Sequence, residues 1–136
     1  MESSMIQRYS RHIILPDIGG VGQRRLSASR VLVIGAGGLG SPILLYLTAS
    51  GVGQIGVIDF DEVSLSNLQR QIIHTNNNIN KYKTDSAKEA ILSINPNIKV
   101  ITYKERFTFK NAENIVSDYD IVADVSDNFG TRFLAN

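Results

Sequence analysis

The sequence predicts an α/β fold: a Rossmann-like, doubly wound parallel sheet with helices on both faces, preceded by an N-terminal helical arm. Three observations carry that prediction. Four short apolar runs recur along the chain, separated by stretches of helical periodicity. A glycine-rich turn, Gly35-Ala36-Gly37-Gly38-Leu39-Gly40, joins the first run to the first long helix. A carboxylate, Asp59, closes the second run, 24 residues after Gly35. Strand–helix–strand alternation argues for parallel pairing, and right-handed crossovers narrow the topology to few choices. A strand order of 3-2-1-4 puts the first strand between the second and the fourth, beside the glycine turn.

The elements follow in chain order. Residues 1–30 read as the arm, with a turn at Gly19-Gly20-Val21-Gly22. The arm holds Arg8, Arg11, Arg24, Arg25 and Arg30 against Glu2 and Asp17, the pattern of a solvated basic face. Residues 31–136 read as the sheet domain, incomplete at its C-terminal end. Val31-Leu32-Val33-Ile34 is continuously apolar, as a strand buried on both faces must be. Leu39 to Ser50 is helical, with Pro42 tolerated in the first turn and Gly51 as its stop. Ile55 to Ile58 is the second strand. The following stretch, 60–97, is longer than one crossover helix requires. It holds a short helix over Ser64–Gln71 with a Ser N-cap, then a helix over Lys83–Ile94 whose Ala87, Ala90, Ile91 and Ile94 share a face. Pro96 ends that helix by disfavouring helical backbone at Asn95. Ile98 to Tyr103 is the third strand, 111–117 a short helix, and Ile121 to Ala123 the fourth strand, running on towards Val125.

Composition excludes several functions. The 136 residues suit one domain. Net charge is +1, from 14 basic and 13 acidic residues, without the basic excess of a nucleic-acid binder. There is no cysteine, which excludes disulfides, cysteine-ligated zinc, Fe–S clusters and a thiol nucleophile within this chain. No run approaches the ~20 apolar residues of a membrane helix, and the first residues lack the pattern of a signal peptide. The cytoplasm is the expected compartment, with neither membrane nor nucleic acid as partner. His12 and His74 sit at no triad or metal spacing and read as surface or packing residues. There is no P-loop and no paired-carboxylate glycosidase pattern.

The chemistry gathers at the carboxyl ends of the strands. Gly35, Gly37 and Gly40 fit G-x-G-x-x-G between a buried strand and a helix, the context in which glycines let phosphate approach the backbone and the helix N-terminus. Packing alone would also favour glycine there. Asp59 is placed to hold a ribose or simply to cap its turn. Asp61 follows it on the opposite face. Asp127, at the end of the fourth strand, is placed to hold Mg²⁺ against phosphate or to cap the next helix. Lys83 opens a helix, where a cation is disfavoured by roughly 0.3–1 kcal/mol. Either it serves a site or it is a solvated lysine offset by Asp85. An NAD site needs little beyond the loop and Asp59. Arg70, Lys83, Asp127 and an arm arginine together suit a triphosphate with Mg²⁺ better.

Five stretches carry a resemblance: Arg8-Tyr9-Ser10-Arg11-His12, Gly35 to Ser41, Asp59-Phe60-Asp61, Ser66-Asn67-Leu68-Gln69-Arg70-Gln71 and Ser126-Asp127-Asn128. Together they resemble the ThiF/MoeB/HesA family, the bacterial relatives of ubiquitin-activating E1 enzymes, from about Tyr9 to the last residue. The resemblance implies ATP- and Mg²⁺-dependent adenylation of the C-terminal glycine of a small ubiquitin-like sulfur-carrier protein, in thiamin or molybdopterin biosynthesis. It implies that Gly38 and its loop bind ATP, that Asp59 holds the ribose, and that Asn67, Arg70 and Lys83 contact phosphates. The Ser66–Arg70 stretch, with Leu68 and Gln69, and Asp61 then belong to the nucleotide site, Asp127 binds Mg²⁺, and Asn128 lies beside it. Arg11 is similar to the arginine that such homodimers insert into the partner's active site. Family members continue past the point where this chain stops, with Cys-x-x-Cys zinc pairs, so Zn²⁺ is expected only in that missing part and the chain reads as truncated. Two other classes compete: an NAD-binding oxidoreductase domain, for which Ser66–Gln71 has no role, and a non-catalytic nucleotide-binding or dimerisation fragment.

Overall fold

A computed structural model describes residues 2–126. Asp127, Asn128 and the helix expected from about Phe129 lie outside the described residues.

The arm comprises α1 (Ser3–Arg8), α2 (Ser10–Ile13) and α3 (Gly19–Ala28). The expected turn at Gly19–Gly22 is instead the first turn of α3. Only Gly19 takes a left-handed φ, at 56°, which redirects the chain; Gly20 and Gly22 then continue as helix. The arm packs through buried polar groups. Asn95 Nδ2 donates to the hydroxyl of buried Tyr9 at 2.6 Å. Gln23, fully buried, donates to the Ser50 carbonyl at 3.0 Å, and its Oε1 lies 3.0 Å from His12 Nδ1.

The sheet strands are β1 (Arg30–Ile34), β2 (Gln54–Ile58), β3 (Lys99–Tyr103) and β4 (Ile121–Asp124). All neighbours pair in parallel, in the order β3-β2-β1-β4 expected from the alternation. Ile34, Ile58, Tyr103 and Asp124 stand in register, so the carboxyl ends of all four strands open onto one edge.

Alternation along β1 splits the core between the two faces of the sheet. Val31 and Val33 join Leu44, Ile55, Val57 and Ile91 under α4 (Gly40–Ser50) and α5 (Lys83–Ile94). Leu32 and Ile34 join Ile58, Phe107, Ile115 and Tyr119 on the face of α6 (Ala112–Val116). Burying a branched side chain of this kind contributes about 1.5–3 kcal/mol, so both faces anchor β1 and hold the edge of the sheet in place. Gly51 ends α4 in the left-handed region at φ 89°, and Asn95 leaves the helix before Pro96. The helix expected over Ser64–Gln71 is a single 3₁₀ turn, Leu65–Asn67, followed by turns to His74. Asn67 Oδ1 caps it by accepting from the Ser64 N–H at 2.9 Å. Among the described residues no helix is long and apolar enough to cross a membrane.

Candidate nucleotide site

A cleft of about 680 Å³ opens at the carboxyl ends of β1 and β2. Pockets of 300–1,000 Å³ are typical of small-molecule sites. Its floor is the glycine turn. Gly35 takes φ 103°, and a Cβ there would come within 3.2 Å of the Val125 carbonyl oxygen. A Cβ at Gly40 would overlap the Gly35 carbonyl oxygen, so glycine alone allows α4 to start this close to β1. Gly38 differs: a Cβ there meets nothing within 4 Å. The backbone N–H groups of Gly37, Gly38 and Leu39 have no backbone or side-chain acceptor among the described residues. They precede α4, whose N-terminus adds partial positive charge. Such a surface favours an anion.

Asp59 ends β2 beside the turn. Its Oδ2 accepts from the Ala36 N–H at 2.9 Å and its Oδ1 from the Asp61 N–H at 2.8 Å. The carboxylate therefore fixes the turn. Each oxygen keeps a further lone pair, so the capping reading and the ribose reading are compatible.

Lys83 is buried, with only 9 % of its side chain exposed, and lines the cleft. Its Nζ lies 3.9 Å from Asp61 Oδ2, while Asp85 pairs with Lys104 at 2.9 Å. The alternative of a solvated lysine offset by Asp85 is thus overturned. A buried ammonium at the limit of ion-pair distance from its one carboxylate among the described residues has strong reason to take a second anion. Arg70 lines the same cleft, exposed, with its guanidinium donating to the Ser66 carbonyl at 3.2 Å.

The structure brings together Gly35, Gly37, Gly38, Asp59, Asp61, Arg70 and Lys83. It leaves Ser66, Asn67, Leu68 and Gln69 off the cleft walls, and Gly40 beneath them. Arg11 stands exposed on α2, away from this chain's cleft. Ser126, immediately before Asp127, is on the rim. Among the described residues no three acidic, histidine or cysteine side chains gather as a metal cage. A Mg²⁺ shared with phosphates needs only one or two carboxylates and does not require such a cage.

The wall residues Gln71, Arg106 and Phe107, and the buried His74 behind them in the network of the turn, have no assigned role in the sequence. Gln71 is buried beside Gly37, with its Oε1 lacking a partner among the described residues. Arg106 stacks its guanidinium 4.0 Å from the centre of the Phe60 ring, and Phe107, part of the core with Ile34 and Ile58, lines the cleft as well. The rule that ligands bind beyond strand carboxyl ends points to Arg106, three residues past β3. His74, read as surface or packing, is buried in a hydrogen-bonded network. Its Nε2 lies 2.7 Å from the Ala36 carbonyl oxygen and its Nδ1 2.8 Å from Ser86 Oγ. Burial pushes its pKa below the usual histidine value, opposed by the Ala36 bond and assisted by nearby Lys83.

Comparison with known proteins agrees with this geometry. Residues 9–136 match the ThiF family. A probable adenylyltransferase/sulfurtransferase, MoeZ of Mycobacterium tuberculosis, is 53% identical over 131 residues, covering 96% of this chain and 33% of the relative. The sulfur carrier protein adenylyltransferase of Thermus thermophilus is 46% identical over 131 residues, 96% of this chain and 48% of that protein. The chain therefore spans between a third and a half of these relatives. Among solved structures, E. coli tRNA N6-threonylcarbamoyladenosine dehydratase, TcdA, in complex with ATP, aligns with a TM-score of 0.86 at 29% identity, over 93% of this chain and 52% of that one.

Proposed function

Because the chain belongs to the ThiF family, we propose that it forms the nucleotide site of an ATP-dependent adenylyltransferase acting on the C-terminal carboxylate of a ubiquitin-like sulfur-carrier protein. The observation that carries this reading is the pairing of unpartnered loop N–H groups with buried Lys83 and with Arg70 in one cleft. NAD would need no such cations. Identity near 50% to sulfur-carrier and molybdopterin adenylyltransferases, against 29% to the tRNA-acting structure, favours a protein carrier. Thiamin and molybdopterin biosynthesis are the pathways of this reading, and the cytoplasm its compartment.

The reaction needs no protein nucleophile. The carrier carboxylate oxygen attacks the α-phosphorus of ATP, a P–O bond forms, and the bond to the β-phosphate oxygen breaks to release pyrophosphate. The protein supplies position and charge. In this proposal Asp59 holds the ribose, Gly37 and Gly38 N–H groups bind phosphate oxygens, and Lys83 and Arg70 stabilise the departing pyrophosphate. Asn67, Asp61 and Asn128 complete the nucleotide site. Mg²⁺, held by Asp127, would neutralise further phosphate charge. Arg11 would act across a homodimer in the partner's cleft. Residues 1–30 would then serve as the arm and 31–136 as the nucleotide domain.

The test is exchange of labelled pyrophosphate into ATP. Exchange that requires both a carrier ending in glycine and Arg70 is the expected result. ATP binding without exchange in any carrier's presence would reduce the function to nucleotide binding. NADH binding in preference to ATP would refute the reading outright.

A further inference from the structure

One residue of the glycine turn, Ala36, is held through both of its backbone polar groups. The Ala36 N–H donates to Asp59 Oδ2, and the Ala36 carbonyl lies 2.7 Å from His74 Nε2. The direction of the second bond follows from chemistry. A carbonyl oxygen only accepts, so Nε2 carries the proton, and in a neutral imidazole Nδ1 is then the acceptor. Ser86 Oγ, 2.8 Å away, donates to it. The Ser86 oxygen in turn accepts from Asn78 Nδ2 at 3.0 Å. His74, Ser86 and Asn78 are all buried, so this chain of donors has no water to replace a lost member. Ser86 lies on α5, one turn beyond Lys83.

The Ala36 carbonyl and the Gly37 N–H belong to the same planar trans peptide and point in opposite directions. Holding the carbonyl against His74 turns the Gly37 N–H away from the core. Gly37 lines the cleft, and its N–H has no acceptor among the described residues. Glycine at 37 would otherwise let this peptide rotate freely. The opposite orientation would put a carbonyl oxygen where a phosphate should bind.

We propose that His74 is a positioning residue that locks the Ala36–Gly37 peptide with its N–H towards the phosphate-binding side of the cleft, and that Ser86 ties this lock to the helix carrying Lys83. The inference rests on the nucleotide reading above and adds a residue to it.

Two substitutions separate the lock from mere packing. In His74→Gln the amide nitrogen reaches the position of Nε2 and still donates to Ala36. In His74→Asn the side chain reaches only the position of Nδ1 and the bond to Ala36 is lost. Affinities for ATP and for adenosine, which lacks phosphate, are measured by calorimetry and by NMR titration on the 136-residue chain. His74→Asn is expected to weaken ATP roughly tenfold or more, the worth of one charge-assisted hydrogen bond, and to leave adenosine within about twofold. His74→Gln restores most of the ATP affinity. Ser86→Ala, which keeps the imidazole but removes its donor, weakens ATP by roughly threefold, and it decides the question if His74→Asn does not fold. Equal losses for ATP and adenosine, equal behaviour of Gln and Asn, or unchanged ATP affinity in Ser86→Ala would overturn the lock while leaving the nucleotide reading intact. Failure of the unsubstituted chain to bind ATP would overturn both.

Discussion

Asp59→Asn tests what the strand-end carboxylate does. The carboxylate accepts one backbone N–H on each oxygen, from Ala36 at 2.9 Å and from Asp61 at 2.8 Å. Hydrogen bonds to a charged group are worth ~1.5–3 kcal/mol each. An asparagine has one acceptor oxygen, so it can serve only one of the two donors and must turn its NH₂ towards the other. The Ala36 bond is the more buried, so the amide oxygen will keep it. The Asp61 N–H then loses its partner at an exposed position, where water substitutes and the loss falls to about 1–2 kcal/mol. Asp59→Ala loses both bonds and strands the Ala36 N–H beside the loop, at about 2–4 kcal/mol. At this chain length these translate into melting points lower by roughly 5 °C and 10 °C. Urea unfolding followed by circular dichroism reads the difference as a fall in midpoint at constant slope. Two melting points equal to that of the unsubstituted chain would refute the claim that Asp59 fixes the turn. A second readout addresses the ribose. Ribose is common to ATP and adenosine, so Asp59→Asn should weaken both ligands by a similar factor, unlike a change at His74. Loss of ATP alone would move Asp59 from the ribose to the phosphates.

Gly40→Ala places a methyl on the Gly35 carbonyl oxygen, a backbone atom that cannot rotate away. It should lower stability by about 3 kcal/mol, and a wild-type urea midpoint would contradict the close packing of β1 and α4. Lys83→Met removes a buried ammonium with one distant partner. Stability should stay level or rise while ATP affinity falls roughly tenfold, and a variant that binds ATP as before would take Lys83 out of the site. His74 has its folded pKa below the unfolded value of about 6.5. The unfolded chain therefore binds the extra proton first, so stability is complete above pH ~6.5 and is lost as pH falls through the lower folded value. Lys83 pushes that pKa down and Asp59 pushes it up. Urea midpoints at pH 7.5 and 5.5 should differ in the unsubstituted chain and differ less in His74→Gln.

What could be read directly from the residues was whatever local sequence determines. Val31 to Ile34 is apolar at every position because β1 packs on both faces, and that is visible without coordinates. Gly51 stops α4 because the left-handed backbone there is local chemistry. Once helices alternate with strands, right-handed crossovers leave few orders, and the doubly wound one, β3-β2-β1-β4, is the order found. Gly19 to Gly22 went wrong for the converse reason. Glycine propensity favours a turn, but tertiary packing of α3 through Gln23 overrides it, and only Gly19 keeps the turn conformation. Lys83 shows an intermediate case. Its conflict with the helix N-terminus is legible, whereas its burial and its approach to Asp61 are not.

His74 marks the limit most sharply. Nothing within several residues of it suggests a partner, because its partners are Ala36, 38 residues upstream, and Ser86, 12 downstream. They meet because β1, β2 and α5 all present their site-facing ends on one edge of the sheet. That edge is itself predictable, so the useful question about a buried histidine in such a sequence concerns topology more than spacing. If the chain runs back beneath the glycine turn after β2, a donor placed there can reach only the turn's inward carbonyls. Each inward carbonyl so held leaves the N–H of the same peptide facing the ligand. Gln71, on the same returning segment, lines the cleft beside Gly37 and holds no turn carbonyl among the described residues, so this role falls to His74. A turn that must present several N–H groups at once requires internal donors beneath it, and polar residues on this segment are where the fold can supply them.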